Sequence, residues 1–104
     1  MTKGRQRAGA PLLYNKDYMS HFVYIIKCVD GTLYTGYAAD VTERVRVHNG
    51  EVKGKSAARY TRGRRPVELV YQEVCDSRGA ALKREHAIKQ LSKKAKEMLI
   101  AAAL

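Results

Sequence analysis

Two tyrosines, an arginine, a histidine and one glutamate are the residues of this chain whose types and spacing could do chemistry together. Tyr24 and Tyr34 flank an Asp30-Gly31 turn in the stretch F-V-Y-I-I-K-C-V-D-G-T-L-Y-T-G, from Phe22 to Gly36, and so fall on one candidate hairpin. Arg44 and His48 stand one helical turn apart, which makes them neighbours on one helix face. Glu85 lies about 40° from Ala81 on a helical pattern whose apolar positions are Ala81, Leu82, Ile88 and Leu91. A carboxylate at such a core-facing position is unfavourable unless it is paired, protonated or bound to a metal. Each residue also has a plainer reading. Glu85 can pair with Lys89, Arg44 can snorkel and pair with Asp40, His48 can sit on a helix edge, and the tyrosines can be ordinary sheet residues.

Those side chains need elements to position them, and the hairpin register decides whether the tyrosines can cooperate. A two-residue loop at Asp30-Gly31 puts Tyr24 opposite Tyr37 and Tyr34 opposite Lys27, on opposite faces. A three-residue loop, Val29-Asp30-Gly31 with Gly31 left-handed, puts Tyr24 opposite Gly36 and Tyr34 opposite Ile26, on one face. Shared chemistry requires the second register. Phe22 to Val29 is apolar on both alternating faces apart from Lys27, as expected of a central strand, with Leu33 to Tyr37 as its partner. Asp40 caps a helix ending near Asn49 or Gly50, and Glu43 completes a capping box. Pro66 can open a third strand over Val67 to Cys75; Ser77 starts a helix to about Leu91, and Ser92 starts another to the C-terminus.

With 104 residues the chain is long enough for one core and too short for two. Lys+Arg 20 against Asp+Glu 10 gives a formal net charge of +10, which favours a polyanionic partner: nucleic acid first, an anionic membrane surface second. The only apolar run before Ser20, Pro11-Leu12-Leu13, is too short for a signal peptide core or a membrane span, and the cysteines, Cys28 and Cys75, each sit in an apolar run as buried thiols would in a reducing cytosol. The expected location is the cytoplasm. Residues 1–20 carry Lys3, Arg5 and Arg7 with Gly4, Gly9 and Pro11 and no period, which reads as a flexible basic arm ahead of a domain spanning 21–104. From Glu51 to Arg65 the chain reads as a flexible basic loop carrying Lys53, Lys55, Arg59, Arg62, Arg64 and Arg65 against the single acid Glu51, with Tyr60 as its aromatic. Lys93, Lys94 and Lys96 read as a solvated face.

Taken together these residues resemble the GIY-YIG endonuclease domain, named for two tripeptides on adjacent strands. The first stands here as Phe22-Val23-Tyr24 and the second as Tyr34-Thr35-Gly36; the match continues through Arg44 and His48, the T-R-G-R-R-P run from Thr61 to Pro66, and Arg84-Glu85. It covers about residues 21–95 and is closest to small single-domain bacterial members; Phe22 and Thr35 depart from the family's glycine and isoleucine. The resemblance implies an α+β fold, a three-stranded antiparallel sheet flanked by helices. It also implies a metal-dependent DNA endonuclease, structure-selective in repair or recombination, using one Mg²⁺ or Mn²⁺. Glu85 would be the metal ligand, Arg44 the cation over the scissile phosphate, and Tyr24 and Tyr34 the pair that positions or deprotonates the attacking water. His48 would assist as proton acceptor or phosphate donor, and Gly36 would let the strand end approach the substrate.

These roles are chemically sound, since phosphoryl transfer is mostly positioning and neutralisation of charge on non-bridging oxygens. A tyrosine with a pKa of about 10 is a poor base at neutral pH, so Lys27 or Arg44 would have to lower it. Lys27 and the six loop cations would contact duplex or branched DNA, ahead of RNA. A homodimer or protein partner would be needed for the second cut of a duplex. The alternative is a nucleic-acid-binding module that does not cut, or cuts only with a partner.

Overall fold

The computed structural model describes residues 20–54 and 59–104. The basic arm, apart from Ser20, and Lys55 lie outside the described residues. Three strands, β1 (His21–Lys27), β2 (Leu33–Ala38) and β3 (Glu68–Cys75), form an antiparallel sheet in the order β2-β1-β3. Among the described residues four helices accompany it: α1 (Val41–His48), α2 (Arg59–Arg62), α3 (Arg78–Lys89) and α4 (Lys93–Ala102). The central position of β1 follows from its composition, because a strand apolar on both faces is stable where both faces are covered.

The hairpin takes the register that puts the tyrosines on one face. Tyr24 lies opposite Gly36 and Ile26 opposite Tyr34, with Lys27 opposite Leu33. The Cys28 amide donates to Thr32 O at 2.8 Å, which leaves Val29, Asp30 and Gly31 as the loop, and Gly31 has φ 86°. A β-branched or bulky residue would be strained at that φ.

One face of the sheet buries Tyr24, Ile26, Cys28 and Ala38 with Val41 of α1 and Val67, and Tyr34, Val45 and Leu69 pack beside them. The other buries Val23 and Ile25 against Ala81 and Ile88 of α3, with Leu99 and Ile100 of α4 alongside. Between β1 and β3 the register shifts: Ile25 faces Tyr71 while Ile26 faces Leu69. The extra residue, Val70, joins Tyr71 on the second face, so this bulge absorbs the break in the alternation of V-E-L-V-Y.

The helix starts obey their capping residues. Asp40, Ser77 and Ser92 accept from the amides of Glu43, Ala80 and Ala95 respectively. On α3 the buried stripe is narrower than the apolar sequence positions suggest. Ala81 and Ile88 are fully buried, whereas Leu82 lies about 100° from Ala81 and Leu91 lies beyond the helix end, and both are exposed. Glu85 borders that narrow stripe. A further departure is α2, a short helix within the segment read as a loop.

Candidate active site

The site begins with the missing Cβ of Gly36. Tyr24 lies across the strands from it, and a Cβ built on Gly36 would stand 2.4 Å from Tyr24 Oη and 2.5 Å from Cζ. Gly36 therefore serves the seating of the Tyr24 ring, a different reason for glycine than close approach of substrate. Tyr24 is 1% exposed and its hydroxyl meets His48 Nε2 at 2.8 Å. His48 is itself 0% exposed, and its Nδ1 meets the hydroxyl of the equally buried Thr61 at 2.8 Å. The result is a continuous buried chain, Tyr24–His48–Thr61, joining the sheet, the end of α1 and α2. His48 is thus a core residue with both nitrogens engaged, rather than a helix-edge group open to solvent.

Tyr34 is half-buried and packs edge-on against His48 with ring centroids 5.4 Å apart. Its ring also stacks on Tyr60 at 5.6 Å, and the Arg64 guanidinium sits 4.2 Å from the Tyr60 ring centroid. Arg44 is half-buried and acts on both the Tyr24 hydroxyl and His48. Glu85 belongs to the helix on the opposite face of the sheet, yet its charge acts on Tyr24. Its side chain, 17% exposed, is ion-paired through the carboxylate with Lys89 Nζ at 3.1 Å.

The electrostatics follow from burial. Desolvation pushes the Tyr24 phenol up to about 12, and the Arg44 guanidinium, which acts in the other direction, does not offset it. The expectation that Arg44 or Lys27 lowers this pKa below the ordinary value therefore does not hold for Tyr24. Lys27 is exposed at the end of β1, between Leu33 and Glu68 in the sheet, and is not among the groups acting on Tyr24. Burial, reinforced by the positive charges of Arg44 and Arg65, pulls His48 down to about 4. At neutral pH the site thus contains a protonated phenol against a neutral imidazole.

The basic segment divides into two kinds of residue. Arg64 is held internally: Nε pairs with Asp30 at 3.0 Å and Nη1 donates to Tyr60 O at 2.7 Å. Arg65 Nε donates to His48 O at 2.6 Å, with its guanidinium packed at Gly50. Lys53, Arg59 and Arg62 are exposed. The Asn49 side chain mimics a strand partner, donating to Val67 O and accepting from Val67 N, and so ties the end of α1 to the start of β3. Sequence reasoning did not find Asn49 or Thr61 as site residues, and singled out Tyr60 only as the aromatic of the basic loop. They have no period or charge pattern that marks them, and for Thr61 the one signal was its place in T-R-G-R-R-P. Lys93 and Lys94 are exposed, in keeping with a solvated face, and Lys96 is half-buried; Lys93 and Lys96 border an open cleft of about 200 Å³ with Thr32, Leu33, Tyr60 and Leu91.

The fold and the gathered side chains define a small α+β domain with a tyrosine–histidine–arginine site and a carboxylate near it. A family model described as the GIY-YIG catalytic domain matches residues 20–98, and the chain belongs to that family, one of nucleases acting on DNA. A UPF0213 protein of Desulfotalea psychrophila is 54% identical over 86 residues, 83% of this chain and 76% of that protein. A UPF0213 protein of Staphylococcus aureus (strain Mu3) is 56% identical over 81 residues, 78% of this chain and 94% of that protein. Among solved structures, the solution NMR structure of the UPF0213 protein BH0048 from Bacillus halodurans shares 43% identity at a TM-score of 0.51, covering 81% of this chain and 85% of that one. The protein EF2693 from E. faecalis, also solved by NMR, shares 34% identity at a TM-score of 0.54, with 80% and 84% covered. Among the described residues no helix is long and apolar enough to cross a membrane.

Proposed function

We propose that the protein is a metal-dependent DNA endonuclease of the cytoplasm, acting on duplex or branched DNA in repair or recombination. The observation that carries this reading is the contact of His48 and Arg44 with the buried Tyr24 hydroxyl, with Tyr34 packed on the His48 ring. Arg44 neutralises charge on a non-bridging phosphate oxygen. Tyr34, the more open tyrosine, orients the attacking water, while Tyr24 stays protonated and is fixed by His48. Lys53, Arg59 and Arg62 contact neighbouring phosphates.

Glu85 would hold the divalent cation. A single half-buried carboxylate fits Mg²⁺ or Mn²⁺, which keeps several waters and takes one or two carboxylates plus substrate phosphates. When bound, such a cation supplies Lewis-acid stabilisation of charge on the phosphate. Lys89 holds Glu85 in the meantime and must release it.

That ion pair is also the observation favouring a second reading, a nucleic-acid-binding module in which Glu85 only anchors Lys89. Glu85→Ala separates the two. Under the endonuclease reading it abolishes Mg²⁺-dependent cleavage of a panel of duplex, flapped and branched DNA while binding persists. A wild-type chain that binds these substrates and cuts none of them with Mg²⁺ or Mn²⁺ selects the module.

A further inference from the structure

We infer that Thr61, on the short helix α2, is a positioning residue: its hydroxyl accepts the Nδ1 proton of His48 and thereby reinforces the tautomer, favoured from the other side by Tyr24, whose Nε2 receives the Tyr24 hydroxyl proton. The tautomer itself follows from geometry alone; its importance for cleavage rests on the endonuclease reading.

The argument is one of donors and acceptors in a closed space. Each His48 nitrogen has one partner at 2.8 Å, Tyr24 Oη on Nε2 and Thr61 Oγ1 on Nδ1. All three residues are buried, at 1%, 0% and 0% exposure, so solvent does not substitute for a missing partner. A protonated phenol must place its proton on an acceptor. Of the two side chains hydrogen-bonded to the Tyr24 hydroxyl, Arg44 has only donors, which leaves His48 Nε2. Nε2 is then bare, Nδ1 carries the hydrogen of the neutral ring, and Thr61 Oγ1 receives it. The opposite tautomer would aim both the Nε2 hydrogen and the Arg44 guanidinium at a hydroxyl whose own proton has nowhere to go.

Thr61 is itself held in place from three sides. The Arg64 amide donates to Thr61 O at 3.0 Å, Tyr60 stacks on Tyr34, and Arg65 Nε donates to the carbonyl of His48. The segment Tyr60–Arg65 is therefore the rear wall of the site, and a hydroxyl at position 61 is its contact with the chemistry.

Long-range ¹H–¹⁵N spectra of the full chain read the tautomer without any nuclease assay. With wild-type protein we expect the His48 ring to show a protonated Nδ1 and a bare Nε2. Thr61→Val, which keeps the shape and removes the hydroxyl, shifts the ring toward the Nε2-protonated form, and Thr61→Ser restores the wild-type pattern. On a cleavable DNA, Thr61→Val lowers kcat by about tenfold or more with KM little changed, and Thr61→Ser recovers the rate. A wild-type ring protonated at Nε2 overturns the inference, and this reading needs no variant to fold. So does a folded Thr61→Val chain with the wild-type tautomer. A wild-type chain that shows the expected tautomer and cuts no DNA removes the endonuclease reading and leaves the assignment of Thr61 standing.

Discussion

Gly36→Ala tests whether the second tripeptide ends in glycine to make room for Tyr24. The new Cβ would stand 2.4 Å from Tyr24 Oη, 2.5 Å from Cζ and 3.0 Å from Cε2. Ordinary contacts between carbon atoms fall at about 3.5–4.0 Å, so the ring tip must retreat by about 1 Å. It has little freedom to do so, because Tyr24 is 1% exposed and its hydroxyl is held by a His48 that is 0% exposed. Overpacking of this kind costs about 1–3 kcal/mol. A retreat of that size also breaks the hydrogen bond to Nε2 and leaves buried polar groups unpaired, which adds about 1–3 kcal/mol. The expected destabilisation is about 2–6 kcal/mol, or a fall in Tm of roughly 4–8 °C for each kcal/mol, read by thermal denaturation. Tyr24→Leu lacks all three crowded atoms. In that background Gly36→Ala should be neutral or slightly stabilising, since alanine is favoured over glycine within a strand. An equal loss in both backgrounds, or none in wild type, would refute the steric account.

Two further outcomes follow from buried polar groups. His48 has a folded pKa of about 4 against an ordinary 6.5, so between those values the unfolded chain takes up a proton that the folded chain does not, and stability falls as pH drops. From pH 7 to pH 5 the loss is up to about 2 kcal/mol, and the fall levels off below the folded pKa; denaturant melts of wild type and His48→Gln should differ by that slope, and parallel pH profiles would contradict it. Thr35 is 2% exposed on the face opposite the site, and its hydroxyl has no hydrogen-bond partner among the described residues. Thr35→Val should stabilise the fold by about 1 kcal/mol, and a lower Tm would mean that the hydroxyl has a partner.

What could be read in the sequence was what local rules determine. The helix starts were legible because Asp40, Ser77 and Ser92 act on amides three residues away. The hairpin register was narrowed to two by the Asp30-Gly31 turn and to one by the demand that the tyrosines cooperate, and Gly31 at φ 86° supplies the turn that fixes it. The burial of His48 was not legible, because a helical wheel places it at the margin of the stripe and says nothing of what covers that margin. The cover is Thr61, separated from His48 by a segment with no hydrophobic period. Glu85 was conspicuous for lying near a buried stripe, yet a wheel could not show that the stripe is only Ala81 and Ile88, or that its helix packs on the face opposite Tyr24.

The basic segment shows what charge alone leaves out. In sequence its arginines are equivalent, each a cation in a run that suits phosphate. In the fold Arg64 closes the hairpin turn through Asp30 and lies over Tyr60, while Arg65 fixes the backbone of His48. Replacing either would disturb the wall behind Tyr34 and His48 as well as any phosphate contact, so lost activity there would not identify a DNA-binding residue. Arg59 and Arg62 are exposed on the same short helix that presents Thr61 inward. That helix therefore carries exposed positive charge on its outer side and the His48 partner on its inner side. Under the endonuclease reading, a shift of α2 on engaging a backbone phosphate would act directly on the Thr61–His48–Tyr24 chain and so couple binding to the chemistry.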